Sequence, residues 1–155
     1  MTRSAGGFHS ELLASVLKEA EEAGRIIVEP STAEFFDRLT GGFPTSSSKI
    51  DWSKVPGAIG RLGPVTSGDV HISFVSAIRR RHHLVGPVAY AGDALTEMTI
   101  RGELDELIPL LPSLLEVPQH HYLAAASGAW CFCFSFEGNS DFGFAPSRPD
   151  LQTGT

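Results

Sequence analysis

Trp130-Cys131-Phe132-Cys133-Phe134-Ser135-Phe136-Glu137, followed after Gly138-Asn139-Ser140 by Asp141-Phe142-Gly143-Phe144, decides how the chain folds. Large rings stand at 130, 132, 134 and 136 and again at 142 and 144. A period of two is that of a β-strand with one face buried, so the spacing predicts a hairpin with every ring on one side. A three-residue loop, 138–140, sets Phe136 opposite Phe142 and Phe134 opposite Phe144. A loop with an even number of residues would instead throw the last two rings to the side of Cys131 and Cys133. The odd loop is therefore expected, with Glu137 and Asp141 as facing like charges at a tip that lies in water or meets a cation.

The rest of the chain has to cover those rings. Gln119 to Ala126, after Pro118, reads as the preceding strand, and Val88-Ala89-Tyr90 and Met98-Thr99-Ile100 read as strands on either side of Gly92-Asp93. From Gly102-Glu103 a helical stretch presents Leu104, Leu107, Ile108, Leu111 and Leu115, and Pro109 and Pro112 should break it into short pieces. Val70, Ile72 and Phe74 fit alternation, but Val70, Phe74 and Ile78 also fit a helix. The helix is preferred because Asp69 can cap it and Arg79-Arg80-Arg81 would complement the dipole in its last turn.

Nearer the N-terminus, Ser10 is the expected cap of a helix carrying Leu12, Leu13, Val16, Leu17 and Ala20, which Gly24 closes. Arg25 to Glu29 reads as a short strand around Ile26-Ile27-Val28. Ser31 and Glu34 stand in capping-box register for a helix from Thr32 to Leu39, presenting Phe35, Phe36 and Leu39 and stopped by Gly41-Gly42. Residues 43–68 are irregular, with Ile50-Asp51-Trp52 as their anchor. The expected fold is α+β: an antiparallel sheet mainly from the C-terminal half, covered by helices on one face. One globular domain over 1–147 and a fraying tail over 148–155 complete the expectation.

Composition narrows the partners. Twelve Lys and Arg against 18 Asp and Glu give a net charge of −6 and a pI near 5.4. That argues against non-specific nucleic-acid binding and against an anionic membrane surface, and it suits a basic partner. Cys131 and Cys133 share a face in a geometry poor for a disulfide, no apolar run approaches the length of a membrane helix, and Met1 to Gly7 lacks the core of a secretory signal. A reducing, cytoplasmic setting is the expectation.

Candidate chemistry is sparse. His120 and His121 point to opposite faces of a strand, so a zinc set would need one of them together with Cys131 and Cys133, and that spacing matches no established zinc motif. A cysteine nucleophile needs an exposed, electropositive site, whereas these thiols sit between aromatics. There is no Gly-x-Ser-x-Gly elbow, and Gly57-Ala58-Ile59-Gly60 lacks the context of a phosphate loop. Glu137 and Asp141 read as a hairpin tip before an acid/base pair, and Trp52 as a plug for its loop or an interface anchor. No catalytic residue, metal or cofactor is expected. The alternative is a small enzyme, with or without zinc, using His120 or His121 with Cys131 or Cys133.

Leu114-Leu115-Glu116-Val117-Pro118-Gln119-His120-His121-Tyr122, leading into Trp130 to Phe134 and Glu137-Gly138, resembles the C-terminal part of immunity proteins of bacterial contact-dependent inhibition and related polymorphic toxin systems. The resemblance covers about the last third of the chain and implies a protein without catalytic residues that binds a cognate toxin domain, often a nuclease, and blocks its active site. A nuclease presents positive charge to its substrate, so an acidic inhibitor gains steering and complementarity. A partner-binding patch of Asp51, Trp52, Glu137 and Asp141 is the expectation.

Overall fold

A computed structural model describes residues 5–46, 49–61 and 69–146. Helix α1 (Ala5–Glu22) leads to strand β1 (Ile26–Glu29) and helix α2 (Ala33–Gly42). A small hairpin of β2 (Thr45–Ser46) and β3 (Lys49–Ile50), a 3-10 turn Trp52–Lys54 and β4 (Ile59–Arg61) precede helix α3 (Asp69–His82). Strands β5 (Pro87–Gly92) and β6 (Thr99–Glu103) follow. Next come α4 (Leu104–Leu107), a 3-10 turn Ile108–Leu110, α5 (Leu111–Leu114), β7 (His121–Ala125), β8 (Trp130–Phe134) and β9 (Ser140–Phe144).

Seven strands form one antiparallel sheet in the order β1-β6-β5-β7-β8-β9-β4, five of them from the C-terminal half. The rings pack as the alternation requires. Trp130, Phe132, Phe134 and Phe142 lie on one face with Val88, Tyr90, Ile100 and Leu123, beneath Leu13 and Leu17 of α1, Val75 and Ile78 of α3, and the leucines of α4 and α5. Phe132 sits at the centre, its ring 4.7 Å from Phe142, 5.7 Å from Trp130 and 6.0 Å from Phe134. The other face is lined by small residues, Ala89, Ala91, Ala124, Cys131, Cys133 and Ala145, with Tyr122. Those short side chains let α2, through Phe35 and Leu39, and the segment carrying Phe43, Ile50 and Val55 close down on the sheet as a second layer.

The local punctuation explains where elements end. Gly24 takes a left-handed φ of 75°, with its N–H donating to Glu21 O and the Arg25 N–H to Ala20 O, a Schellman closure of α1. Pro109 and Pro112 each fall in the first turn of a new piece, so 104–114 is three short helical turns rather than one helix. Three expectations are corrected. Ser10 is inside α1 rather than its cap, because the helix begins at Ala5. The capping box does not form: the Ser31 hydroxyl accepts from the Ala33 N–H while Glu34 turns to Arg101, and Thr32 is the cap residue. Gly41-Gly42 do not stop α2, which runs through both and ends at Phe43. The stretch 43–61, expected to be irregular, contains β2, β3 and β4. The tail 148–155 lies outside the described residues.

The hairpin register also differs from the one expected. Phe134 faces Ser140, Phe132 faces Phe142 and Trp130 faces Phe144, so the loop is 135–139. The rings keep their common face because the loop is still odd, but Phe136 leaves the strand and is 64% exposed. The cause is turn chemistry. Ser135 and Gly138 occupy the first and last positions of a turn closed by the Gly138 N–H to Ser135 O, with Gly138 at φ 96° and the Asn139 N–H on the Ser135 hydroxyl. Glu137 and Asp141 consequently do not oppose one another. Asp141 stands between Cys133 and Gly60.

Candidate functional site

The strand register brings the β5–β6 connection, the entry to β7, the β8–β9 turn and the end of β4 to one end of the sheet. What fixes the first of these is a buried polar network. The Gln119 side-chain carbonyl accepts the N–H groups of Ala94, Leu95 and Thr96 at 3.0, 2.6 and 3.3 Å, and its amide donates to Thr96 Oγ1 at 2.9 Å and Tyr90 Oη at 3.4 Å. The Tyr90 hydroxyl lies 2.7 Å from His121 Nδ1, and His121 Nε2 lies 2.9 Å from Val117 O. A carbonyl can only accept, so Nε2 carries the ring proton and Nδ1 accepts from Tyr90. Every member is satisfied, and burial lowers the His121 pKa to about 4 and raises that of Tyr90.

This network needs the glycine at 92. A Cβ there would come within 2.0 Å of Gln119 Nε2 and 2.6 Å of Thr96 Oγ1. Gly92→Ala is therefore expected to expel the Gln119 amide, leave the three N–H groups without their acceptor, and lower the unfolding free energy by about 2 kcal/mol. Urea denaturation checks this, and an unchanged midpoint would mean that the loop finds other partners.

With the loop held, Asp93 becomes a hub. Its carboxylate accepts the His120 N–H at 3.1 Å and lies 3.5 Å from Lys49 Nζ and 3.8 Å from His120 Nδ1. His120 Nε2 in turn lies 3.5 Å from Glu137 at the β8–β9 turn. At the same end of the sheet Phe136 of the β8–β9 turn and Leu95 of the β5–β6 connection are exposed, at 64% and 55%, as are Glu97 and Glu137. Two bare hydrophobic side chains thus share this end of the sheet with Asp93, Glu97 and Glu137, and with Lys49.

The four positions expected to bind a partner are placed as follows. Glu137 is at the turn just described. Asp141 lies on the second face of the sheet, near the same end, and burial pushes its carboxyl up to about 6. Glycine opposite it leaves the room: a Cβ on Gly60 would come within 2.8 Å of Asp141 Oδ1. Trp52 is on that same face, stacked over Gly143, where a Cβ would come 3.1 Å from the indole and 2.7 Å from Val55 Cγ1, and beside the ring of Phe43. The indole plugs its loop onto the sheet while remaining half-buried. Asp51 is used internally, its Oδ1 accepting the Ser53 N–H at 3.2 Å and the Ser53 hydroxyl at 2.5 Å.

The thiols and histidines divide between the two layers. His121 is on the ring-bearing face, and His120 follows Tyr122 and Cys133 to the other. Both cysteines are free and buried; desolvation pushes Cys133 up to about 12 and Cys131 well above its usual value, which keeps them as thiols. Among the described residues no three His, Cys, Asp or Glu side chains converge in a way that could hold a metal ion. Nor is any described helix long and apolar enough to cross a membrane. A histidine–serine pair is not legible in the sequence: His71 Nδ1 lies 2.7 Å from Ser140 Oγ, but Ser140 is wholly buried, so the pair ties α3 to β9 rather than facing a substrate. Asp93, Leu95, Glu97 and Phe136 were missed as well. Only Phe136 carried a readable signal, the Ser-x-x-Gly turn around it.

Comparison with known proteins leaves this geometry to speak for itself: no family model, no curated protein and no solved structure matches the chain.

Proposed function

We propose that the chain is a binding protein of the immunity class, which neutralises a cognate toxin domain by covering its cationic active site. The observation that carries this reading is the sheet end where Phe136 and Leu95 are exposed among Asp93, Glu97 and Glu137. Binding energy at interfaces concentrates in a few large side chains that a partner can desolvate, and a surrounding rim of one charge sets the approach and the choice of partner. The net charge of −6 extends the same sign over the molecule and favours a basic surface such as a nuclease presents to its substrate. Asp141 adds to the case, because a half-buried carboxylate whose pKa desolvation has raised is destabilising when ionised and would be relieved by a partner's Lys or Arg. Asp51 contributes by holding the turn that carries Trp52.

The test is co-expression with any toxin domain found encoded beside the chain's gene, followed by binding measurements on the purified pair. Rescue of growth and a complex that weakens with salt are expected. Phe136→Ala combined with Glu137→Lys should raise Kd by roughly 100-fold or more while leaving the thermal midpoint in place. Equal binding by both forms, or neither rescue nor complex, overturns the reading.

A further inference from the structure

One edge of the seven-stranded sheet is β1, and among the described residues no strand pairs with its outer side. An open edge presents unpaired N–H and C=O groups, and proteins usually guard such edges with Lys, Pro or a bulge within the strand. At the opposite edge β4 holds Gly60 and Arg61, whereas β1 is Ile26-Ile27-Val28-Glu29, with Ile27 63% exposed at its middle. β1 is short and closes on Glu29 and Pro30, but the isoleucine at its middle is bare and calls for a cover.

The sequence of the edge says what that cover is. In antiparallel pairing of β1 with itself about Ile27, Ile27 meets Ile27, Ile26 meets Val28, and Arg25 meets Glu29 of the second copy, twice per pair. Arg-Ile-Ile-Val-Glu is its own complement in charge as well as in shape, and opposite-charge cross-strand pairs stabilise a sheet where like charges disrupt it. Both charged residues have room to take part. Arg25 is half-exposed and only 3.8 Å from Glu106, and Glu29, which Arg101 holds at 2.9 Å, keeps a partly exposed side chain. Beside the edge, Leu13, Leu17, Val28, Leu95 and Met98 line a groove between α1 and the β5–β6 connection, which adds apolar surface near the junction.

We infer that the β1 edge is a homodimer interface, in which two copies of this chain join their sheets through antiparallel β1–β1 pairing centred on Ile27. The dimer is two-fold symmetric, as isologous contacts are. A pair of four-residue strands buries less than the roughly 1,200 Å² of standard interfaces, so the association is weak and concentration-dependent. This inference does not depend on the proposed partner: the two surfaces share Leu95, but β1 itself is no part of the partner surface.

Sedimentation velocity over a concentration series from micromolar to millimolar tests it on the full chain. A monomer–dimer equilibrium is expected, abolished by Ile27→Lys, which places two ammonium groups face to face. Arg25→Glu should weaken the dimer by roughly tenfold, and the swap of Arg25→Glu with Glu29→Arg should restore it. Thermal midpoints of the variants, within a few degrees of the parent, establish that the monomer still folds. A monomer at every concentration overturns the inference, as does a dimer that Ile27→Lys leaves intact or a charge swap that fails to recover what the single reversal lost.

Discussion

Phe132→Ala is expected to lower the unfolding free energy by about 3–5 kcal/mol, whereas Phe136→Ala should change it by less than about 0.5 kcal/mol. The two residues are four apart in one alternating run, and the difference lies wholly in what surrounds them. Phe132 has no exposed surface and packs against the rings of Trp130, Phe134, Phe142 and Phe74. Removing it takes away a ring and leaves a void that neighbours fixed on two strands and a helix cannot fill. Phe136 is in solvent, so its loss removes little burial. Domains of this size hold about 5–15 kcal/mol in total, so Phe132→Ala consumes a large share and should shift the urea midpoint plainly. A loss of under about 1 kcal/mol at Phe132 would contradict the packing described. A loss of several at Phe136 would mean that its ring is covered in solution.

The same pair shows how much of the fold the sequence makes legible. Alternation reveals which face the rings share, because that depends only on whether the loop is odd. It cannot distinguish two registers that differ by an even number of residues, here Phe142 against Phe136 or against Phe132, since both keep the paired rings on the same side. The choice falls to local turn chemistry, here Ser135 and Gly138, whose hydrogen bonds outweigh one more buried ring. The second layer was harder to foresee for a different reason. Ala89, Ala91, Ala124 and Ala145 do not announce a buried face, yet their small size is what admits α2 and Phe43. Glu137 and Asp141 were recognisable as acids near a turn, but not the burial that sets Asp141 apart. Gln119 was beyond reach of any periodic argument, because its contacts lie in a loop that only the register of β5 against β7 brings near.

Acid should unfold this protein through His121, and Asp141 should resist it. The unfolded chain takes up a proton at His121 near the ordinary 6.5, while the folded chain refuses it until about 4, because the imidazole is buried and its Nδ1 is already an acceptor for Tyr90. Between those values the unfolded state binds more protons, so stability falls as pH falls, by about 3 kcal/mol in all. His71, lowered by burial and then by Arg61, acts in the same direction. Asp141 has the opposite sign: its folded pKa, near 6, lies above the ordinary 3.8, so over that interval the folded state binds the extra proton and gains stability on acidification. Asp141→Asn separates the two. The variant should be more stable than the parent above about pH 7, where the desolvated carboxylate is ionised, and should lose stability more steeply between about pH 6 and 4, where nothing opposes His121. Unfolding free energies from urea titrations across that range check both halves. A parent protein equally stable at about pH 7 and pH 5, together with an Asp141→Asn variant that is less stable at neutral pH, would mean that the carboxylate has a cation beside it and that His121 takes up its proton without disturbing the fold.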